Sequence, residues 1–96
     1  MSKAKGGKVR ASHILVEKHS QALALIGRIN SGEDFAKIAR EYSTCSSKKR
    51  GGDLGWFAKG KMVAEFERAA FGLSVGAMTI EPVKTKFGYH IIKRTG

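Results

Sequence analysis

The hydrophobic period of the chain switches from two to helical spacing and back, and that switching restricts the fold more than any other feature. Val9-Arg10-Ala11-Ser12-His13-Ile14-Leu15-Val16 is strand-like, with Val9, Ala11, His13 and Leu15 on one face. Ala22, Leu25, Ile26 and Ile29 then share one side of a helix over residues 20–30, with Ser20 as its cap and Gly32 as its stop. Phe35, Ile38, Ala39 and Tyr42 mark a second helix; Glu33 and Asp34 favour its N-terminus, and Glu33 can pair with Lys37. Both helices are amphipathic, so each has a sheet face to cover. Polar residues and glycines over 43–52 predict a turn or a brief helical piece. A short strand over 54–57 follows, then a helix over 62–71 in which Met62 and Phe66 stack one turn apart. Two strands, 77–83 and 89–94, close the chain around a turn at 84–88. The order β-α-α-turn-β-α-β-β predicts an α+β domain whose final hairpin is antiparallel.

Ninety-six residues suffice for one compact domain with one core, and 42% apolar content argues against disorder. Residues 1–8 offer nothing to bury and are expected to be a flexible basic tail, leaving 9–96 as the domain. No secretory leader or membrane span is expected, and the one cysteine, Cys45, permits no internal disulfide; both suit the cytoplasm. The net charge of +10 implies attraction to polyanions, whether acidic peptides, nucleic acid or an anionic membrane surface. The cations are dispersed, with no block longer than Lys48-Lys49-Arg50. They follow no helix and do not interleave clearly with aromatics, as they more often do in a dedicated nucleic-acid binder.

Three reactive side chains stand out: His13 on the first strand, Cys45 in the turn and His90 on the last strand. If those strands are neighbours, the two histidines can face each other. Taken singly, a histidine on an apolar face is usually a core residue, and a lone cysteine a small buried hydrophobe. A Cys-His pair is also the arrangement of thiol nucleophiles, yet no oxyanion-hole motif accompanies it here. No CxxC or HxxxH spacing points to zinc, so no metal is expected.

Four segments, in order, carry a more specific message: Ser12-His13-Ile14-Leu15-Val16; Tyr42-Ser43-Thr44-Cys45-Ser46-Ser47; Arg50-Gly51-Gly52-Asp53-Leu54-Gly55-Trp56-Phe57 with Met62 and Phe66; and Phe87-Gly88-Tyr89-His90-Ile91-Ile92. With them the chain, over residues 9–96, resembles the small single-domain parvulins, a family of peptidyl-prolyl cis/trans isomerases. The resemblance implies a four-stranded, mostly antiparallel sheet wrapped by about four helices, in the order β-α3-β-α-β2. It implies a proline pocket of Leu54, Met62 and Phe66, with Phe57 and Phe71 lining or backing it. His13 and His90 correspond to the family's paired histidines, Cys45 to the residue facing the isomerising bond, and Thr85 to a hydroxyl in the histidine network.

The activity so implied is a non-covalent rotation about Xaa-Pro bonds that assists folding, without cofactor, in a monomer acting on unfolded or flexible polypeptides. Lys48, Lys49 and Arg50 are then expected at the mouth of the pocket, where they attract a peptide with acidic residues before its proline. Phe57 should point inward and Trp56 to the opposite, partly exposed face. Phospho-dependent parvulins carry a long basic loop after the first strand. Here only Glu17-Lys18-His19-Ser20 intervenes, so no strict phosphate dependence is expected, and any further targeting falls to charge, towards an anionic membrane surface or nucleic acid. The alternative is a non-catalytic module that holds proline-containing or polyanionic ligands without turning them over.

Overall fold

The structure, a computed structural model, describes residues 6–96. Strand β1 (Lys8–Val16) leads into helices α1 (His19–Asn30) and α2 (Phe35–Tyr42), then a 3-10 turn (Ser46–Arg50). Strand β2 (Asp53–Ala58), helix α3 (Ala64–Gly72) and strands β3 (Val83–Thr85) and β4 (Gly88–Arg94) complete the chain. The sheet order is β2-β1-β4-β3, and every pairing is antiparallel. First and last strands are therefore neighbours at the centre, where both faces are covered. That is why β1 and β4 hold the most deeply buried residues, among them Val9, Ile14, Val16, Ile91 and Ile92.

The two faces of β1 serve two separate apolar clusters. Ile14 and Val16 pack with Ala22, Leu25 and Ile26 of α1 and with Phe35, Ile38 and Ala39 of α2. Val9 and Ala11 pack with Phe57, Ile92, and Phe66 and Ala70 of α3. Helices α1 and α2 thus share one face, and α3 takes the other. The period of two in β1 makes this division, because neighbouring side chains point to opposite sides.

Several local expectations shift. Lys8 pairs with Ala58, so β1 begins one residue inside the segment expected to be a tail; residues 1–5 lie outside the described residues. Ser20 does not cap α1, because the helix starts at His19 after Lys18, with no side-chain cap. Asp34 does cap α2, its carboxylate accepting from the Lys37 N–H at 3.0 Å. Glu33 turns back to Arg28 at 2.8 Å instead of forward to Lys37, since the guanidinium offers a two-pronged match to the carboxylate. Met62 precedes α3, which begins only after Val63.

The strand expected over 77–83 is mostly absent. Met78 forms an isolated bridge to Lys93, and β3 proper is only Val83–Thr85. Thr79 Oγ1 accepts the Ile92 N–H at 3.1 Å, so a side chain replaces a strand carbonyl. Pro82 then has no N–H to offer, and the chain bows outward, leaving Ile80 85% exposed. Among the described residues no helix is long and apolar enough to cross a membrane.

One glycine fixes where the 3-10 turn meets the sheet. Gly52 has φ of 91° and its carbonyl accepts the His13 N–H at 2.9 Å. A Cβ there would collide with the His13 carbonyl oxygen. Gly52→Ala is expected to cost at least about 2 kcal/mol, from positive-φ strain and displaced backbone together. Urea unfolding checks this, and a variant as stable as the parent would refute it.

Candidate active site

On one face of the sheet, the β1–β4 register places His13 opposite Ile92 and Leu15 opposite His90, so the two histidines sit diagonally on adjacent strands. Their rings stack at 5.1 Å with Nδ1 to Nδ1 at 3.0 Å. Both are nearly closed to solvent, at 5% and 4% exposure. Burial pushes the His13 pKa down to about 4, helped by His90, and burial does the same to His90. The pair is therefore neutral near pH 7, and two neutral rings joined through Nδ1 share one proton across that contact.

Thr85 orients that proton. Its Oγ1 lies 2.7 Å from His90 Nε2 and accepts the Phe87 N–H at 3.1 Å. The hydroxyl proton is then free to go to His90 Nε2. His90 Nδ1–H in turn donates to His13 Nδ1, which puts the second ring's proton on Nε2. The reverse direction would leave the threonine proton and His13 Nε2 both unmet, whereas this one leaves a single unmet donor. Among the described residues His13 Nε2 is buried without a partner.

A cavity of about 380 Å³ opens against this pair. His13, Leu15, His90 and Cys45 form one wall; Leu54, Met62, Val63 and Phe66 form the apolar body; Phe87 and Lys61 stand at the remaining sides. Phe66 projects from α3 and meets both imidazoles edge-on, at 5.4 Å from His13 and 5.3 Å from His90. Phe57 stands 6.0 Å behind Phe66, and Phe71 lies 6.1 Å from Phe57. Those two back the cavity and do not line it.

The structure thus brings Leu54, Met62 and Phe66 together with His13, His90 and Cys45, and joins Thr85 to the pair. Cys45 is half-buried on the wall, but among the described residues its thiol takes no part in the Thr85–His90–His13 chain. Lys48, Lys49 and Arg50 are exposed on the 3-10 turn, between the lining residues Cys45 and Leu54 in sequence, and do not themselves line the cavity at whose mouth they are expected. The turn curls back under Gly51 and Gly52, and Arg50 Nε is held by the Asp53 carbonyl at 3.3 Å. The lining cation is Lys61, which composition alone did not single out.

Leu15, Val63 and Phe87 were likewise unassigned. Leu15 was legible as two residues from His13 on the same face. Phe87 carried a weaker signal, a large aromatic in a turn, and it is 59% exposed.

Residues 5–96 match the rotamase family, described as the PPIC-type PPIase domain. The chain belongs to this family. This rotamase domain is 55% identical over 89 residues to the foldase protein PrsA of Geobacillus kaustophilus, an alignment covering 92% of the chain and 31% of the relative. It superposes on the crystal structure of PrsA from Bacillus subtilis with a TM-score of 0.91 and 51% identity, over 95% of this chain and 36% of that one. The solution structure of NmPin, the parvulin of Nitrosopumilus maritimus, matches with a TM-score of 0.85 and 53% identity, over 97% of this chain and all of that one. The rotamase domain spans about a third of the length of the foldase relatives it matches, and the whole of NmPin.

Proposed function

We propose that this rotamase domain accelerates cis/trans isomerisation of Xaa-Pro bonds in flexible polypeptides, without a covalent step. One observation carries the reading: an apolar cavity walled by a neutral, hydrogen-bonded histidine pair, with a thiol that no base engages. A thiol nucleophile needs a neighbouring base or cation to raise its thiolate fraction, and the Cys45 thiol has no hydrogen bond to either histidine. Rotation about a prolyl amide needs no nucleophile. Its barrier, about 18–20 kcal/mol for a peptide bond, is the resonance lost at the twisted geometry.

Leu54, Met62 and Phe66 are suited to desolvate and grip the pyrrolidine ring while the preceding carbonyl swings past Cys45 and the histidines. Met62 can adapt its shape to either isomer. The twisted amide is less charge-separated than the planar one, so a dry wall favours it relative to both planar forms. A thousandfold acceleration requires only about 4 kcal/mol of such preference. Thr85, His90 and His13 hold the wall in register; they are positioning groups, and their neutrality keeps the cavity apolar.

Exchange spectroscopy on short Xaa-Pro peptides tests this. Cross-peaks between cis and trans forms are expected only with catalytic amounts of protein, for neutral peptides as well as charged ones, and they should persist at about 0.5 M salt, where screening is nearly complete. Cys45→Ser should keep activity within about tenfold, because a single side-chain contact is worth about 1 kcal/mol. A folded but inactive Cys45→Ser would restore the nucleophile reading. No acceleration of any peptide by the folded protein would leave a binding module instead.

A further inference from the structure

A second concave region adjoins the proline cavity, and its chemistry is opposite. It encloses about 390 Å³ along edge strand β2 and the turn into α3, between Lys8, Trp56, Lys59 and Lys61. Lys61 lines both cavities. The three lysines are solvent-exposed, and among the described residues no carboxylate lines the region. Glu67 of α3 accepts the Gly60 N–H at 2.6 Å, which ties the lysine-bearing turn to that helix. The Lys59 ammonium rests over the Phe71 ring of α3 at 5.6 Å. Trp56 adds an aromatic surface to the same wall.

We propose that this basic cleft is an extension of the substrate site that binds an acidic side chain flanking the proline in the same peptide. The proposal rests on the isomerase reading. It rests equally on adjacency, since Lys61 lines both regions, and on charge complementarity between three cations and a carboxylate. It moves acidic selectivity away from Lys48, Lys49 and Arg50, which line neither cavity.

The test compares paired peptides carrying Glu or Gln at each flanking position around one Ala-Pro bond, followed by exchange spectroscopy and by chemical-shift changes of the protein. At low salt the Glu peptide is expected to exceed its Gln partner in kcat/KM by roughly tenfold at one or two positions. That ratio should fall towards one at about 0.5 M salt, and in a Lys8→Gln, Lys61→Gln double variant. It should survive in Lys48→Gln, Lys49→Gln. A ratio near one at every position in the parent protein overturns the proposal, as does loss of the ratio only in the Lys48, Lys49 variant. If no peptide is isomerised, the isomerase reading fails. The cleft then stands only if the Glu peptide, and not the Gln one, shifts the Trp56 indole and Lys8 amide signals; silence there overturns it as well.

Discussion

Met62→Ala and Phe66→Ala are expected to separate, although both residues border the same cavity. Met62 is half-buried, lies outside α3 and packs only on the margin of the cluster around Phe57 and Phe66, so its truncation removes contacts to the proline ring while leaving the buried members of both clusters in place. Lost apolar contact in a binding pocket is worth about 1–3 kcal/mol, which predicts a fall in kcat/KM of at least about tenfold. The stability change should stay near 1 kcal/mol. Phe66 is only 3% exposed and belongs to the cluster containing Val9, Phe57 and Ile92. It also meets both histidine rings.

Phe66→Ala should therefore cost about 3–5 kcal/mol in stability as well as the catalytic loss. For a domain with a total of about 5–15 kcal/mol that is a large share. A residue that only lined the pocket could be lost with the fold largely intact. Only Met62 meets that description. Urea unfolding beside exchange rates decides it: full activity in Met62→Ala removes the pocket assignment, and an undiminished midpoint for Phe66→Ala removes its place in the core.

Acid is expected to unfold the domain earlier than its carboxylates alone would. His13 and His90 titrate at about 4 when folded and near 6.5 when unfolded. Their folded values are depressed, so the unfolded chain takes up protons first as pH falls. The stability they permit is complete above about pH 6.5 and drains away between there and about pH 4, below which both states are protonated. The loss between about pH 7 and pH 5 amounts to about 2 kcal/mol for each ring.

The two ion pairs among the described residues titrate in a lower window. The Arg10 guanidinium holds the Asp53 carboxyl below the usual carboxylate range, and Arg28 does the same to Glu33. Both pairs are largely solvent-exposed, so neither contributes much. The decline from about pH 6.5 to pH 5 thus belongs to the histidines. It should be absent in a His13→Leu, His90→Leu double variant, which has no imidazole to protonate at those two positions. A parent protein equally stable at about pH 7 and pH 5 would contradict the neutral, buried pair.

Much of this site was legible in the chain. Period two in β1 put His13 with Val9, Ala11 and Leu15, and the ordered motifs around Cys45, Leu54 and His90 identified the family and its element order. The turn or brief helical piece before β2, α2 with acidic residues favouring its N-terminus, and the antiparallel pairing of the last two strands followed from local rules. Local rules failed where a long-range partner competed. Arg28 drew Glu33 away from Lys37, and the expected strand over 77–83 shrank to a bridge at Met78 and the short strand Val83–Thr85.

What the sequence determined by itself was therefore the set of elements, their order and the faces along which apolar side chains must lie, because these depend on period and on neighbours a few residues apart. What only the tertiary structure decided was which faces meet. The pairing of β1 with β4 brings His13 within 3.0 Å of His90 across 77 residues of chain. The packing of α3 over that face makes Phe66 a core residue as much as a pocket residue. The turn before α3 sets Lys61, and not Lys48 to Arg50, at the junction of two cavities. Such contacts depend on distance in space, and one-dimensional spacing does not encode which of eighteen cations ends beside an apolar cavity.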